Sequence, residues 1–301
     1  MDNLFESSDV KKIGRAISDC VQRTGWLAVV GPVGAGKTTA VDAALASMPD
    51  VRVIDPVCLD RRRMTVGSIL EASIRDLSDE PVRASMEARS RQWRRIVGTA
   101  SASGRVVLLI EEAHLLHHAT LRALKRLREI AWAGRRPLVS IVMVAQPGMG
   151  ADLRRVREVG LRVRQHQTAC LTRAEVAAYL KWLGIRAGDA AAREISLRVR
   201  TPLEVGRLAE AAVEWANGQG HRQVTVEDVR AALGGDLGLR DRIDRSPLSV
   251  RGIAKLAGVS ASAVSAVSNG NYAGRSDVAE KIAAAMDAVE HGGPRAADRA
   301  G

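Results

Sequence analysis

The sequence predicts an α/β protein: a doubly wound parallel sheet with a helical lid, followed by a small all-α domain. Three observations lead there. Apolar runs at 26–30, 51–54, 106–110 and 138–145 are too short for helices and too continuous for half-exposed strands, so they read as buried parallel strands. Amphipathic stretches at about 10–23, 38–47, 66–78, 83–102 and 119–133 flank or separate them, the alternation of a doubly wound sheet. After Thr172 the strand signals vanish, and helical patterns follow at about 172–183, 189–199, 202–217 and 225–233, several opening on Thr or Asp caps.

The expected organisation is an α/β nucleotide-binding domain over 1–170, a helical lid over 171–235, a linker over 236–247, a helix-turn-helix domain over 248–291 and a disordered tail over 292–301. The 301 residues suit about two domains, and 46% apolar residues suffice for their cores. A net charge of +11 and a pI near 10.4 favour a polyanionic partner. The excess concentrates in two stretches: 17 basic against 10 acidic residues over 52–136, and six against one over 153–173. Five Trp, two Tyr and one Phe are too few for base-stacking platforms, so double-stranded DNA held by its phosphates is the expected ligand. Cys20, Cys58 and Cys170 have no metal-ligand spacing and read as reduced thiols. With no signal-peptide order and no membrane-length apolar run, a cytoplasmic location is expected.

Gly31-Pro32-Val33-Gly34-Ala35-Gly36-Lys37-Thr38 fits G-x-x-x-x-G-K-[ST] in full, between a strand and a helix, with Thr39 next on the helix. Its glycines let backbone N–H groups face phosphates, Lys37 reaches the β- and γ-phosphate oxygens of ATP, and the Thr38 hydroxyl binds Mg²⁺. The strand 106–110 delivers Glu111 and Glu112 to its C-terminal end, where ligands of open α/β sheets gather. Glu111 is then the second Mg²⁺ ligand and Glu112 polarises the attacking water. His114 reads as a structural hydrogen-bonder rather than a catalyst. Gln146, just past the strand 138–145, can orient the lytic water if that strand neighbours the P-loop strand, or it is a turn residue before Pro147-Gly148. Arg154, Arg155, Arg157, Arg162 and Arg164 are candidates for an arginine finger reaching a neighbouring subunit, with Arg162 preferred.

Together the P-loop, the Glu-Glu-Ala-His strand end, the Val-Ala-Gln-Pro strand and the helical lid resemble the AAA+ ATPases, and within them the branch of ExeA-like and transposition ATPases, over roughly residues 5–235. Two positions depart from that pattern: Glu111 stands where the family usually has Asp, and Leu203 follows Pro202 where the lid often has Arg, a role Arg207 or Arg200 would then take.

Residues 249–270 read as two short helices joined at Gly258, sharing Ile253, Ala254, Ala257, Val259, Val264 and Val267. They resemble the Cro- and LacI-type helix-turn-helix. Ser260, Ser262 and Ser265 would face a DNA groove, with Asn269 and Tyr272 near the backbone. An AAA+ core with such a domain resembles the target-capture ATPases of transposition, the group of phage Mu transposition protein B, TnsC, TniB and IstB, although in the Mu protein the helix-turn-helix precedes the ATPase. The resemblance implies ATP-dependent assembly of a homo-oligomer, filament or ring, on duplex DNA, selection of a transposition target and activation of a transposase. Arg61, Arg62, Arg63, Arg91, Arg94 and Arg95 would line the DNA-facing surface. The alternative reading is an ATP-regulated helix-turn-helix transcription factor.

Overall fold

The computed structural model describes residues 4–58, 60–233, 239–244, 246, 248–268 and 276–290. Its first part runs α1 (Ser8–Gln22), β1 (Trp26–Val30), α2 (Lys37–Ala46), β2 (Val51–Ile54), α3 (Val66–Leu77), α4 (Met86–Ser103), β3 (Arg105–Ile110), α5 (His118–Glu129), β4 (Ser140–Ala145), α6 (Met149–Arg155), α7 (Arg157–Gly160) and β5 (Arg164–Gln167). All five strands are parallel, in the order β2-β3-β4-β1-β5.

Successive side chains of a strand point to opposite faces, and the core divides accordingly. Trp26, Ala28 and Val30 of β1, with Val106, Leu108 and Ile110 of β3, pack under Ile69, Ile74, Trp93, Val97, Leu121 and Leu124 from α3, α4 and α5. Leu27, Val29, Val107, Leu109, Val142 and Val144 line the other face against Ile13 and Ile17 of α1 and Val41 of α2. Central strands buried on both faces are why β1, β3 and β4 read as continuous apolar runs.

Three expectations are corrected here. β5, Arg-Gln-His-Gln, is an edge strand with three of its four residues exposed, so it carries no apolar signal. The helix expected over 119–133 ends at Glu129, because Trp132 and Arg135 pair across a tight turn whose central residues, Ala133 (φ +48°) and Gly134 (φ +76°), are left-handed. Such a turn suits the right-handed twist of a hairpin but not a helix. The strand expected from 138 starts at Ser140.

By its contacts the chain divides into two units, Met1–Leu171 with Thr201–Leu203, and Thr172–Arg200 with Glu204–Gly301. The second holds α8 (Arg173–Trp182), α9 (Asp189–Arg198), α10 (Pro202–Gly218) from Glu204 onward, α11 (Val226–Ala232), α12 (Leu239–Asp244), α13 (Val250–Ala257), α14 (Ala261–Ser268) and α15 (Ser276–Glu290). Thr172 with Glu175 and Thr225 with Asp228 form capping boxes at the starts of α8 and α11. Residues 239–244 are helical where a linker over 236–247 was expected, and Ile243 shows why: it is 4% exposed and packs with Ile253, Ala254, Val264, Ile282 and Met286. The tail expected over 292–301 lies outside the described residues.

Candidate nucleotide site

β1 ends at Val30 and the chain enters the P-loop. Gly34 (φ +77°) and Gly36 (φ +78°) take left-handed backbone that L side chains rarely adopt. Gly31 is required for a different reason: a Cβ there would lie 1.6 Å from Thr168 Oγ1 and 2.9 Å from Thr168 Cβ, just beyond β5. Thr168 is tied in turn, its N–H donating to Val30 O at 2.7 Å. Leu203 N–H donates to Gly34 O at 3.2 Å, so the segment Thr201–Leu203 braces the loop from the other side. At the position where the resembled family often has a lid arginine, this chain thus makes a backbone contact. Val33 is 65% exposed at the loop's tip.

Lys37 opens α2 and folds its ammonium back onto the loop, donating to Gly31 O (2.9 Å) and Pro32 O (2.7 Å). Burial holds that ammonium below its ordinary pKa, while Glu112 and Glu111 pull the other way. Thr38 Oγ1 donates to Glu111 Oε2 at 3.1 Å, bridging α2 and the end of β3. Glu111 Oε1 is buried with no hydrogen-bond partner. Burial pushes the Glu111 carboxyl above its ordinary pKa, the Thr38 hydrogen bond opposes this, and Asp42, Glu112 and Asp55 add to it. An orphaned buried carboxylate oxygen beside a hydroxyl is a donor set that fits a hard divalent cation such as Mg²⁺.

Glu112 has left-handed backbone (φ +51°) and an exposed side chain. Strain of this kind in a non-glycine residue concentrates at functional sites. His114 explains how the carboxylate is held. Its Nε2 lies 3.6 Å from Glu112 Oε2, and its Nδ1 accepts from Gln146 N–H at 3.4 Å. An Nδ1 that accepts leaves the ring proton on Nε2, facing Glu112. β4 lies beside β1, so Gln146 stands next to the P-loop strand, the condition for its expected role. The sequence marked His114 as a structural hydrogen-bonder, and it does accept from Gln146 N–H; its place beside Glu112 had no signal but position, two residues past the glutamate.

Arg162 precedes β5, whose first residue pairs with Leu27, so it lies at the end of the sheet away from this chain's own P-loop. Its guanidinium donates to Glu158 O.

The arginines expected on a DNA-facing surface are more engaged than the sequence suggests. Arg61 donates to Pro56 O, Arg63 pairs with Asp60, Arg91 with Glu87 and Arg95 with Glu80. Arg94 donates to Ala131 O at 2.7 Å and stacks over Trp132. Arg62 is exposed and has no side-chain partner among the described residues. Five of these six arginines thus have a partner within the chain. Ser260 Oγ accepts from Ala263 N–H and lies 3.0 Å from Ser262 Oγ, so it caps α14; Ser265 is half-buried. α13 and α14 meet at 114° through Gly258 (φ +65°), sharing the apolar residues expected of them. Asn269 and Tyr272 lie outside the described residues.

Comparison with known proteins finds relatives of the nucleotide site. The AAA domain family matches residues 21–151, which hold the P-loop, Glu111, Glu112, His114 and Gln146. Over these residues the chain is similar to the nucleotide-binding module of AAA ATPases. The ORC2 protein of Aeropyrum pernix in its ADPNP–ADP complexes is similar in fold: 13% identity, TM-score 0.56, covering 98% of this chain and 85% of that one. Its ADP form has the same identity and TM-score, covering 95% and 88%. Cdc6p from Pyrobaculum aerophilum is 17% identical with a TM-score of 0.53, covering 95% and 81%. No curated protein matches the sequence. Among the described residues no single helix is long and apolar enough to cross a membrane.

Proposed function

We propose that this chain is an ATP-dependent DNA-binding ATPase that assembles as a homo-oligomer on duplex DNA, marks it as a transposition target and activates a transposase. One observation supports the chemistry: Lys37, Thr38, Glu111, Glu112 and Gln146 all stand at the C-terminal ends of the adjacent strands β1, β3 and β4 or just beyond them. The DNA part is supported by the net charge of +11 and by the α13–α14 pair at 114°, and the transposition role by the motif resemblance.

Thr38 and Glu111 would hold Mg²⁺, which supplies positive charge against the phosphates when bound. Lys37 adds the charge that a phosphoryl transfer needs at the β- and γ-oxygens, and the P-loop N–H groups fix the phosphate chain. Glu112 orients a water and takes its proton, while His114 keeps the carboxylate aimed and Gln146 fixes the other side of the water. Arg162 would contribute from an adjacent subunit. DNA binding through phosphates is largely independent of base sequence and weakens steeply with salt.

The test is binding to random-sequence duplex DNA without nucleotide, with ADP, with ATP and with a non-hydrolysable analogue, with the same samples imaged by negative stain. ATP-dependent, sequence-independent binding with ordered oligomers supports the reading, and Lys37→Ala should abolish both. Tight, nucleotide-independent binding of single protomers to one defined site would favour the regulator instead.

A further inference from the structure

The sheet has a second polar opening at the end opposite the P-loop. A cavity of about 390 Å³ lies at the N-terminal ends of β3 and β4 and beside the turn into β1, lined by Thr24, Ser101, Arg105, Arg135, Arg136 and Ser140 among others. Three of its lining residues are arginines and none is a carboxylate. Its chemistry is therefore that of an anion site.

The cavity is built rather than left over. Ser140, 1% exposed, lines it, and its hydroxyl has no hydrogen-bond partner among the described residues. Arg105 is anchored by Nη1 alone, to Val21 O (3.2 Å) and Gln22 O (2.9 Å), which leaves its other donors available. Arg135 is likewise tied only through Nη1, to Ser101 O at 2.7 Å. Arg136 is exposed and has no partner among the described residues.

The wall carrying these arginines is rigid. Trp132 fills the notch at Gly98, where any Cβ would lie 2.2 Å from its ring, and Arg94 clamps the same loop through Ala131 O. The Trp132–Arg135 pair closes the tight turn that sets Arg135 and Arg136 on the rim. On the facing rim, Thr24 is left-handed (φ +47°), with Arg128 donating to its carbonyl. Among the described residues, three non-glycine positions have positive φ: Glu112 beside the nucleotide site, Thr24 in the lining of this cavity, and Ala133 in the turn that carries Arg135. Backbone held in a costly conformation marks places where the surrounding structure enforces a geometry.

We propose that this cavity is a second anion site that takes a phosphate group, carried by a nucleic-acid backbone or free in solution. Arg136 and the free edges of Arg135 and Arg105 bind the phosphate oxygens, and the Ser140 hydroxyl donates from the floor. Arginine supplies this chemistry because its guanidinium presents paired donors to phosphate. The site is distinct from the P-loop, since it sits at the other end of the same strands.

The experiment uses the full chain saturated with ADP and Mg²⁺, so that the P-loop does not compete. Inorganic phosphate is titrated by calorimetry into the wild type, Arg136→Glu, the Arg135→Ala/Arg136→Ala pair and Ser140→Ala. Random-sequence duplex DNA is titrated in parallel by fluorescence anisotropy. The arginine variants should lose phosphate affinity by about tenfold or more and Ser140→Ala by a few fold, with thermal midpoints near that of the wild type because both arginines are exposed. Arg222→Glu, an exposed change of equal charge far along the sequence, should leave phosphate affinity as it is. If DNA affinity falls with Arg136→Glu and not with Arg222→Glu, the phosphate is a backbone phosphodiester. If DNA affinity is unchanged while phosphate binding is lost, the ligand is free phosphate. No phosphate binding by the wild type at millimolar concentration, or equal affinity in the arginine variants, overturns the proposal.

Discussion

The two ends of the sheet use the same strands for opposite kinds of architecture. At the C-terminal end one contiguous loop, Gly31 to Thr38, supplies most of the groups of the candidate nucleotide site, and the strands add single carboxylates and an amide. At the N-terminal end the arginines come from separate segments, Arg105 before β3 and Arg135 and Arg136 from the turn after α5, with Ser140 from β4. Both ends hold a non-glycine residue in left-handed backbone. The difference teaches that a site announces itself in a sequence when its groups are neighbours in the chain, and stays silent when the fold assembles it from distant positions.

Breaking the crowded end should have the largest effect. Gly31→Val puts a branched side chain where Thr168 Cβ already stands 2.9 Å from the first atom added. Overpacking of this kind costs about 1–3 kcal/mol, and it should also eliminate ATP binding by displacing the loop. Chemical denaturation and nucleotide titration measure the two effects, and a Thr168→Gly second change should restore part of the stability. Wild-type binding by Gly31→Val would remove Thr168 from the account.

A smaller effect separates binding from turnover at that end. His114→Ala removes the imidazole between Glu112 and Gln146 N–H, so turnover should fall about tenfold while ATP affinity stays near wild type, a loss of orientation rather than of contact. His114→Gln, which can still donate toward Glu112, should recover part of the rate. An equal loss in affinity and turnover would make His114 a merely structural residue.

The smallest effect probes the face between the two ends. Burial raises the Cys20 thiol to about 11. At neutral pH it should label far more slowly than Cys58 and Cys170, which are half-buried, as followed by mass spectrometry of the native protein. The sign for stability follows from the same shift. An unfolded chain loses this proton near the ordinary thiol value while the folded one keeps it, so Cys20 makes stability fall as pH rises from about 9 toward 11.

Much of the fold was legible because the central strands are buried on both faces: β1, β3 and β4 carry all or nearly all of their ranges as apolar runs. β5 was not, because an edge strand of Arg-Gln-His-Gln owes its pairing to the backbone of β1 and not to side-chain burial. The end of α5 was misread because Ile130 and Trp132 continue the apolar pattern into a loop, where Trp132 packs against α4 instead. At the nucleotide site, Lys37, Thr38, Glu111 and Glu112 followed from adjacency. Thr168 and Leu203, which close on Gly31 and Gly34, come from segments far from the loop and carry no local pattern. The partners of the basic residues were hidden for a related reason: composition counts charges, but ion pairs such as Arg95 with Glu80 are set by the fold.

The proposed function has the C-terminal end of the sheet hydrolyse ATP through Glu112 in a protein assembled on duplex DNA, and we further expect the DNA to speed this reaction. Steady-state ATP turnover of the wild type and Glu112→Gln, each with and without random-sequence duplex DNA, tests it most directly. The account predicts turnover that rises with DNA in the wild type and a loss of about a hundredfold or more in Glu112→Gln with ATP binding intact. Wild-type turnover by Glu112→Gln would contradict it.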